Sequence, residues 1–229
     1  DVIDSYRELV KITPRGDDYG KELQRLADLE LEASMDDRLS DDPDIKNQGL
    51  LEAKTAIERY QQYLQDYPGR PDNDLVLYQL SRDYAIESQV DEAQQIMDRL
   101  VRAYPQSRYI DEVQFRRGEY LFVAGQYVQA EQAYAVVVND HEDSIFYEKS
   151  LYKLGWSQFK QNQNREAIAS YIKLLDRKQQ QQMLDEVKLA DNLARTEQEL
   201  IEDVLRVTSL AFSYLPDREP IAQYFNRAG

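Results

Sequence analysis

The fold is decided by residues 118–134, GEYLFVAGQYVQAEQAY, because the side chains of this stretch return along the chain at a step of 37 residues. The small residue at its start, the alanine in its middle and the aromatic residue at its end all have counterparts at this step. These positions are Ser81, Gly118 and Gly155; Ala56, Ala93, Ala130 and Ala167; and Tyr60, Met97, Tyr134 and Tyr171. Such self-similarity indicates one supersecondary element that is copied and stacked into a solenoid.

Each copy predicts a pair of amphipathic α-helices. In the copy at 74–105, Leu77, Leu80 and Tyr84 recur at three- and four-residue spacing on one face of a first helix. Asp91 is a candidate N-cap for a second helix, and Pro105 closes that helix because the residue before a proline avoids helical geometry. The sequence therefore predicts an all-α fold of stacked antiparallel helix pairs.

The repeats organise the chain as a single array. The predicted segments are a half repeat at 1–14, a repeat at 17–68 with an inserted acidic loop at 36–48, repeats at 74–105, 111–141 and 147–175, a glutamine-rich spacer at 176–198 and an incomplete terminal repeat at 199–229. Neither end carries the polar cap that covers the apolar face of a terminal repeat. We therefore expect the chain to be a segment of a longer array.

The composition narrows the function. The formal net charge of −15 argues against nucleic acid as a partner, because binding to phosphates needs an excess of Lys and Arg. The chain has no cysteine, which excludes disulfides, thiolate metal sites and cysteine nucleophiles. No apolar run approaches the roughly 20 residues that span a bilayer, so we expect no membrane insertion of this segment. The first residues do not have the pattern of a signal peptide.

The pattern resembles the tetratricopeptide repeat. In the copy at 147–175 the resemblance rests on Leu154-Gly155, the turn at Gln163-Asn164, and Ala167 and Tyr171 in the second helix. The family implies an α-α superhelix, a right-handed solenoid of helix pairs whose first helices line a concave groove that binds proteins or peptides. The sequence departs from the family where Glu142 stands in place of the closing proline.

The 37-residue step exceeds the family's usual period, and the additional residues fall between repeats. The Tyr-Pro-x-Ser spacing that begins at Tyr104 resembles the bacterial cell-envelope branch of the family. That branch includes the lipoprotein of the outer-membrane barrel-assembly machine and the partner of the Tol-Pal system. The segments 25–32 and 205–214 also resemble large repeat proteins associated with TonB-type energy transduction. The resemblance implies a periplasmic or outer-membrane-associated location.

The resemblance also indicates where a partner would bind. Nine residues of the first helices correspond to the family's concave positions and form the candidate protein-binding site. They are Tyr78, Arg82, Phe115, Glu119, Phe122, Tyr152, Trp156, Phe159 and Lys160. Aromatic side chains offer large contact areas at little entropic cost. Arg82 and Lys160 would pair with acidic groups of the bound segment.

Two alternatives remain open at this point. Tyr78, Phe115 and Tyr152 recur at the 37-residue step, so they are equally well explained as packing residues that every repeat needs. Trp156 has no such rule, because its counterparts are Arg82 and Glu119. The second function hypothesis is a structural spacer that self-associates through its repeat ends and whose groove is unused.

No constellation of residues predicts catalysis, a cofactor or a metal site. His141 is the only histidine, and the acidic residues that flank it lie in a predicted connection between repeats. The acidic stretch at 36–44 lacks the glycine turn and the closing glutamate of a helix-loop-helix calcium site. The sequence therefore predicts a non-catalytic protein.

Overall fold

The computed structural model describes residues 2–185 and 195–215, and this part of the chain contains ten α-helices and no strand. They are α1 (Val2–Ile12), α2 (Asp17–Arg38), α3 (Pro43–Asp66), α4 (Asn73–Ile86), α5 (Val90–Ala103), α6 (Ile110–Val123), α7 (Tyr127–Asp140), α8 (Tyr147–Lys160), α9 (Asn164–Asp185) and α10 (Arg195–Ser213). The chain divides into two compact units, at residues 1–110 and 111–229. The predicted all-α fold is confirmed.

Both units are built from helix pairs joined by short turns. In the first unit α2 packs on α3 and α4 on α5, while α1 packs on α2 and α3 on α4. In the second unit α8 packs on α7 and α9, and α9 packs on α10. Helices that follow each other through a short turn and pack together are antiparallel. We refer to α2–α3, α4–α5, α6–α7 and α8–α9 as repeats 1 to 4.

The turn inside repeats 2, 3 and 4 repeats in detail. Ser88, Gly125 and Asn162 each have a positive φ, between 58° and 75°. One residue later, an N–H bonds to a carbonyl five positions back, at 2.8–2.9 Å. This is the Schellman motif at the C-terminus of a helix. A residue in the left-handed conformation ends the helix, and the N–H groups near it bond to carbonyl groups of the last turn. Glycine adopts this conformation most easily, so Gly125 is the residue best suited to it.

The repeated residues form the core. All four alanines of the 37-residue series are fully buried, and Tyr60, Tyr134 and Tyr171 are as well. A Cβ atom at Gly118 or Gly155 would lie 2.5 Å from the ring of the tyrosine opposite. These glycines are therefore required by the close approach of a tyrosine ring to the first helix. Repeat 2 has Ser81 at this position, and Met97 in place of the tyrosine.

The connection between consecutive repeats has the same hydrogen bonds at two places in the chain. The Ser107 hydroxyl donates to Asp74 at 2.6 Å, and its oxygen accepts the Tyr109 N–H at 3.2 Å. The same two bonds recur 37 residues later, where Ser144 bonds to Asp111 and to the N–H of Phe146. The serine thus ties the connection to the first helix of the repeat before it.

The predicted loop at 36–48 is wrong. Helix α2 continues to Arg38 and α3 begins at Pro43, so only residues 39–42 connect them. Asp42 caps α3 by accepting the N–H of Asp44, and a proline is favoured in the first turn that follows such a cap. The acidic residues that suggested a loop are instead arranged around a helix end.

The predicted spacer at 176–198 is helical over part of its length. Helix α9 continues to Asp185, although the sequence suggested an end at Leu175, and α10 begins at Arg195. Lys178 and Gln181 bond to Glu148 of α8 at 2.6 and 2.7 Å, so the polar segment packs against the preceding helix. Residues 186–194, and the part of the predicted terminal repeat at 199–229 that follows Leu215, lie outside the described residues.

Helix α1 forms most of the predicted half repeat at 1–14. Its buried residue is Ile3, whereas Val2 is 59% exposed. The helix is fixed to α2 by Arg7, which donates to Glu30 at 3.0 Å. Glu30 is completely buried and also accepts from Arg59 of α3 at 2.6 Å. This shared carboxylate connects three helices of the first unit.

Candidate protein-binding face

The recurring aromatic residues of the first helices have packing partners. Tyr78 is 9% exposed and stacks on Tyr109, with ring centroids 4.3 Å apart. Phe115 stacks on Phe146 at 5.2 Å. Tyr109 and Phe146 are themselves 37 residues apart. Each pair therefore joins the first helix of a repeat to the connection between that repeat and the next. This geometry gives Tyr78 and Phe115 a structural role in every such repeat.

In the first unit, Arg82 is the accessible member of the candidate site. Its guanidinium lies over the Tyr78 ring, 5.6 Å from the centroid. A cation above a ring face is attracted by the ring quadrupole. The stacked tyrosine pair thus supports a half-buried cation on α4.

In the second unit, an aromatic chain runs along α8. The ring of Trp156 contacts Tyr152 at 6.5 Å and Phe159 at 5.8 Å, both edge-on. Phe159 in turn lies 6.1 Å from Tyr214, which follows α10 and is 61% exposed. Edge-to-face contacts of this kind stabilise a fixed arrangement of rings. Trp156 and Phe159 are half-buried, so the chain offers a partly exposed apolar surface.

Two lysines border this aromatic chain. Lys160 is exposed and its ammonium lies 5.9 Å from the centre of the Trp156 ring. Lys153 lies 5.1 Å from the centre of the Phe122 ring and pairs with Glu119 at 3.1 Å. Glu119, Phe122, Trp156, Phe159 and Lys160 therefore lie on one continuous surface of α6 and α8, which we call the first-helix face.

A tyrosine–carboxylate pair links the two helices of repeats 1 and 3. The Tyr60 hydroxyl donates to Asp28 at 2.5 Å, and the Tyr134 hydroxyl donates to Glu119 at 2.5 Å. Each carboxylate directly follows a small residue, Ala27 in repeat 1 and Gly118 in repeat 3. Burial and the neighbouring carboxylate both raise the pKa of Tyr134, so the hydroxyl remains a donor.

Repeat 4 breaks this rule. Trp156 follows Gly155 where the carboxylate would stand, and an indole cannot accept the hydrogen bond of Tyr171. The Tyr171 hydroxyl is buried and has no partner among the described residues. Leaving a buried donor unpaired costs about 1–3 kcal/mol. An aromatic residue thus replaces a structurally useful carboxylate on the first-helix face.

Helix α10 completes this surface. The Tyr152 hydroxyl donates to Asp203 at 2.6 Å. Burial opposes the ionisation of Asp203, but hydrogen bonds from Tyr152, Arg206 and the Trp156 indole outweigh it and lower its pKa. The ionised carboxylate fixes the orientation of Tyr152, which therefore serves packing as well as the surface.

Sequence reasoning missed several members of this surface. Lys153 and Asp203 contribute charges, while Tyr127 contacts Phe122 edge-on at 5.3 Å and Tyr214 extends the aromatic chain. Tyr109 and Phe146 could have been found, because they recur at the 37-residue step. The contribution of α10 had no such signal, since it depends on how that helix packs on α8.

The described residues give no sign of a metal centre. Within 2–185 and 195–215, no group of three or more His, Asp or Glu side chains is arranged to hold an ion. His141 ends α7, and its N–H bonds to the carbonyl of Val137 at 3.1 Å. In the same residues, every helix is too short or too polar to cross a membrane.

Comparison with protein families identifies the repeat. The family model described as "Tetratricopeptide repeat" matches residues 76–107 and 149–177. Two segments of the chain are thus tetratricopeptide-like. They coincide with repeat 2 and with most of repeat 4. No curated protein matches the sequence of the chain.

Solved structures support the same fold. A structure described as "MamA RS-1 ArsTM double mutant" has a TM-score of 0.52 at 16% identity and covers 87% of this chain and 99% of its own. MamA 41-end from Desulfovibrio magneticus RS-1 has a TM-score of 0.50 at 13% identity, covering 89% of this chain and 100% of its own. At these identities the likeness establishes the tetratricopeptide-type fold alone.

Proposed function

We propose that the protein is a non-catalytic scaffold that binds a peptide or a segment of another protein on the first-helix face of its second unit. The single observation that carries this proposal is the exchange at Trp156. Repeats 1 and 3 keep a carboxylate at this position and satisfy a buried tyrosine with it. Repeat 4 has a half-buried tryptophan instead, and the Tyr171 hydroxyl has no partner in the part of the chain that the structure describes. Such a local loss of stability is typical of a functional position.

The side chains of the first-helix face suit an extended or helical partner segment that carries both apolar and acidic residues. The rings of Phe122, Trp156 and Phe159 provide apolar contact area, and tryptophan is the residue most enriched in binding hot spots. Lys160 is exposed beside Trp156 and can pair with a carboxylate of the partner. Because the rings already contact one another, little side-chain entropy is lost when the partner binds.

The protein provides its own reporter for a test, because Trp156 is the only tryptophan of the chain. Peptides selected by display against the whole protein are titrated while tryptophan emission is followed. We expect the emission maximum to shift on binding, and Phe122→Ala or Lys160→Ala to weaken affinity about tenfold. Val128→Ala, an exposed residue at the start of α7, serves as the matched control.

Two results would contradict the binding proposal. One is a set of selected peptides that bind without any change in Trp156 emission. The other is equal affinity for the wild type, Phe122→Ala and Trp156→Ala. Circular dichroism of each variant verifies that the helices are intact, so that a loss of binding is not a loss of folding.

We further propose that the scaffold works in a bacterial envelope assembly. Support comes from the Tyr104-Pro105 connection, in which Ser107 fixes the chain to Asp74, since this spacing resembles the envelope branch of the family. Fractionation of cells that express the complete gene product tests this location. Recovery in the cytosolic fraction alone would refute it without affecting the binding proposal.

A spacer that self-associates is the second candidate. The exposed apolar residues of α1, Val2 and Ile12 at 59% and 75% exposure, favour it. The net charge of −15 opposes it, because identical acidic copies repel one another. Sedimentation velocity over a range of protein concentrations separates the two candidates. A sedimentation coefficient that increases with concentration in the wild type, but not in Ile12→Ser, supports the spacer.

A further inference from the structure

The longest departure from the repeat geometry is an extension of repeat 1. Helices α2 and α3 have 22 and 24 residues, whereas both helices of repeat 2 have 14. Ala56 is the fourteenth residue of α3 but Ala93 is the fourth of α5, so ten residues are added before it. We call residues 33–52, which extend both helices beyond the regular length, the α2–α3 arm.

The arm is a built structure. Gly49 allows α3 to approach α2 closely, because a Cβ there would lie 2.8 Å from the Cβ of Asp37 and 3.0 Å from the carbonyl oxygen of Ser34. Ser34 is completely buried and its hydroxyl bonds to the carbonyl of Leu31 at 2.7 Å. At the end of α2, Arg38 forms an ion pair with Glu87 of repeat 2. The arm is therefore held in one orientation on the first unit.

The arm displays large apolar side chains along its length. Leu39 is 84% exposed in the four-residue connection, and Leu51 is 65% exposed on α3. Ile45 and Leu50 are 41% and 43% exposed. Single exposed leucines need no explanation, but several on a rigid projection are typical of an interaction site.

The charges around these residues are predominantly negative. Asp36, Asp37, Asp41, Asp42 and Asp44 surround Leu39 in the sequence. None of them forms an ion pair within the described ranges. Arg38 is engaged by Glu87, which leaves Lys46 as the other cation of the arm. The exposed apolar residues of the arm thus lie on a predominantly acidic segment whose aspartates form no ion pair among the described residues.

We propose that the α2–α3 arm is a second docking site, and that its occupant is a basic amphipathic segment of another protein. Apolar residues of that segment contact Leu39 and Leu51, and its Lys and Arg side chains pair with the aspartates. A second copy of this chain does not fit, because its net charge is −15 and its own arm carries the same charges. An anionic lipid surface is repelled for the same reason.

The test uses the complete chain and three synthetic amphipathic helical peptides of identical leucine pattern. Their polar positions carry Lys, Gln or Glu, and binding is measured by calorimetric titration. We expect the Lys peptide to bind about tenfold more tightly than the Gln peptide and the Glu peptide not to bind. Binding of the Lys peptide should weaken as salt is added.

Variants then assign the binding to the arm. Leu39→Ser combined with Leu51→Ser should weaken Lys-peptide binding about tenfold, and so should the triple change Asp36→Asn, Asp41→Asn and Asp44→Asn, which preserves the cap at Asp42. Val90→Ser, at an exposed apolar residue outside the arm, is the matched control. Trp156→Ala should leave the affinity unchanged, which separates this site from the first-helix face.

Each of the following results would overturn the proposal. The double serine variant binds the Lys peptide as tightly as the wild type, which would mean that general acidity explains the binding. The Gln peptide binds as tightly as the Lys peptide. Sedimentation shows self-association that Leu39→Ser abolishes, or phosphatidylglycerol vesicles bind in a manner that depends on Leu39, so that the occupant is a second copy or a membrane.

Discussion

Repeats 3 and 4 differ in whether a buried tyrosine hydroxyl has a hydrogen-bond partner, and the difference separates packing from function. In repeat 3 the Tyr134 hydroxyl donates to Glu119, which also pairs with Lys153. In repeat 4 the equivalent tyrosine, Tyr171, has no partner among the described residues because Trp156 replaces the carboxylate. The same fold thus accepts a satisfied and an unsatisfied buried hydroxyl. A residue that breaks the rule is a better guide to function than one that obeys it.

The first unit contains the same contrast among carboxylates. Asp28 accepts the Tyr60 hydroxyl, whereas neither oxygen of Asp83 has a hydrogen-bond donor among the described residues. Asp83 is 2% exposed, and burial raises its pKa to about 7, although Arg82 and Arg38 act against this shift. The free-energy cost of burying Asp83 therefore depends on pH. The cost of burying an unpaired tyrosine hydroxyl does not.

The largest expected effect concerns Asp83. Because its pKa is near 7 in the folded state and 3.8 as the ordinary value, the folded state binds the proton more tightly. The contribution of Asp83 to stability is then highest below about pH 4, falls as the pH rises towards 7 and stays constant above it, a loss on the order of 4 kcal/mol. Urea unfolding at several pH values measures this. Asp83→Asn should remove the dependence; a slope of unchanged size would contradict the assignment.

The next effect tests the contact between glycine and tyrosine. Gly118→Ala and Gly155→Ala each place a methyl group 2.5 Å from a tyrosine ring, and overpacking of this kind costs about 1–3 kcal/mol. We expect Gly118→Ala to cost more, because the hydrogen bond to Glu119 prevents Tyr134 from shifting. Thermal unfolding followed by circular dichroism compares the two variants. A greater loss for Gly155→Ala would show that the hydroxyl does not anchor the ring.

The hydroxyl groups themselves give the third effect. Tyr134→Phe removes a hydrogen bond to an ionised group and should destabilise the protein by about 2 kcal/mol. Tyr171→Phe removes an unpaired buried donor and should be neutral or stabilising. Urea unfolding of both variants at neutral pH measures the difference. Equal losses in the two variants would mean that Tyr171 has a partner.

A double-mutant cycle sharpens this comparison. In a Trp156→Glu background, repeat 4 regains the carboxylate that repeat 3 has in Glu119. We expect Tyr171→Phe to cost about 1–2 kcal/mol more in that background than in the wild type. Trp156→Gln, which offers a neutral acceptor, serves as the control and should give a smaller coupling. Zero coupling would show that residues 156 and 171 do not meet as their counterparts do.

The smallest effect concerns the turns. Ser88 has a φ of 58°, in the left-handed region that Gly125 occupies in repeat 3. Ser88→Gly should therefore stabilise the protein by about 0.5 kcal/mol, and Gly125→Ser should destabilise it by a similar amount. Both variants are compared with the wild type by thermal unfolding. Destabilisation by Ser88→Gly would mean that the serine side chain stabilises this turn.

Much of the fold could be predicted because a stacked repeat places the same residue in the same environment each time. The buried alanines, the glycines opposite tyrosine and the turn at Gly125 all follow from the 37-residue step. The end of α2 and the start of α3 could not be predicted in this way. Their acidic residues have no counterpart in the other repeats, so composition suggested a loop where a cap at Asp42 starts a helix.

The candidate site was only partly predictable, for the same physical reason. Periodicity identifies which positions of the first helices are equivalent, and so it set Trp156 apart from Arg82 and Glu119. It carries no information on which side chains meet. Only the tertiary structure decided that Tyr109 covers Tyr78 and that Lys153 joins Phe122 to Glu119. It also decided that the Tyr171 hydroxyl has no partner within residues 2–185 and 195–215. These contacts depend on how neighbouring helices pack, and a repeat pattern records only what successive copies have in common.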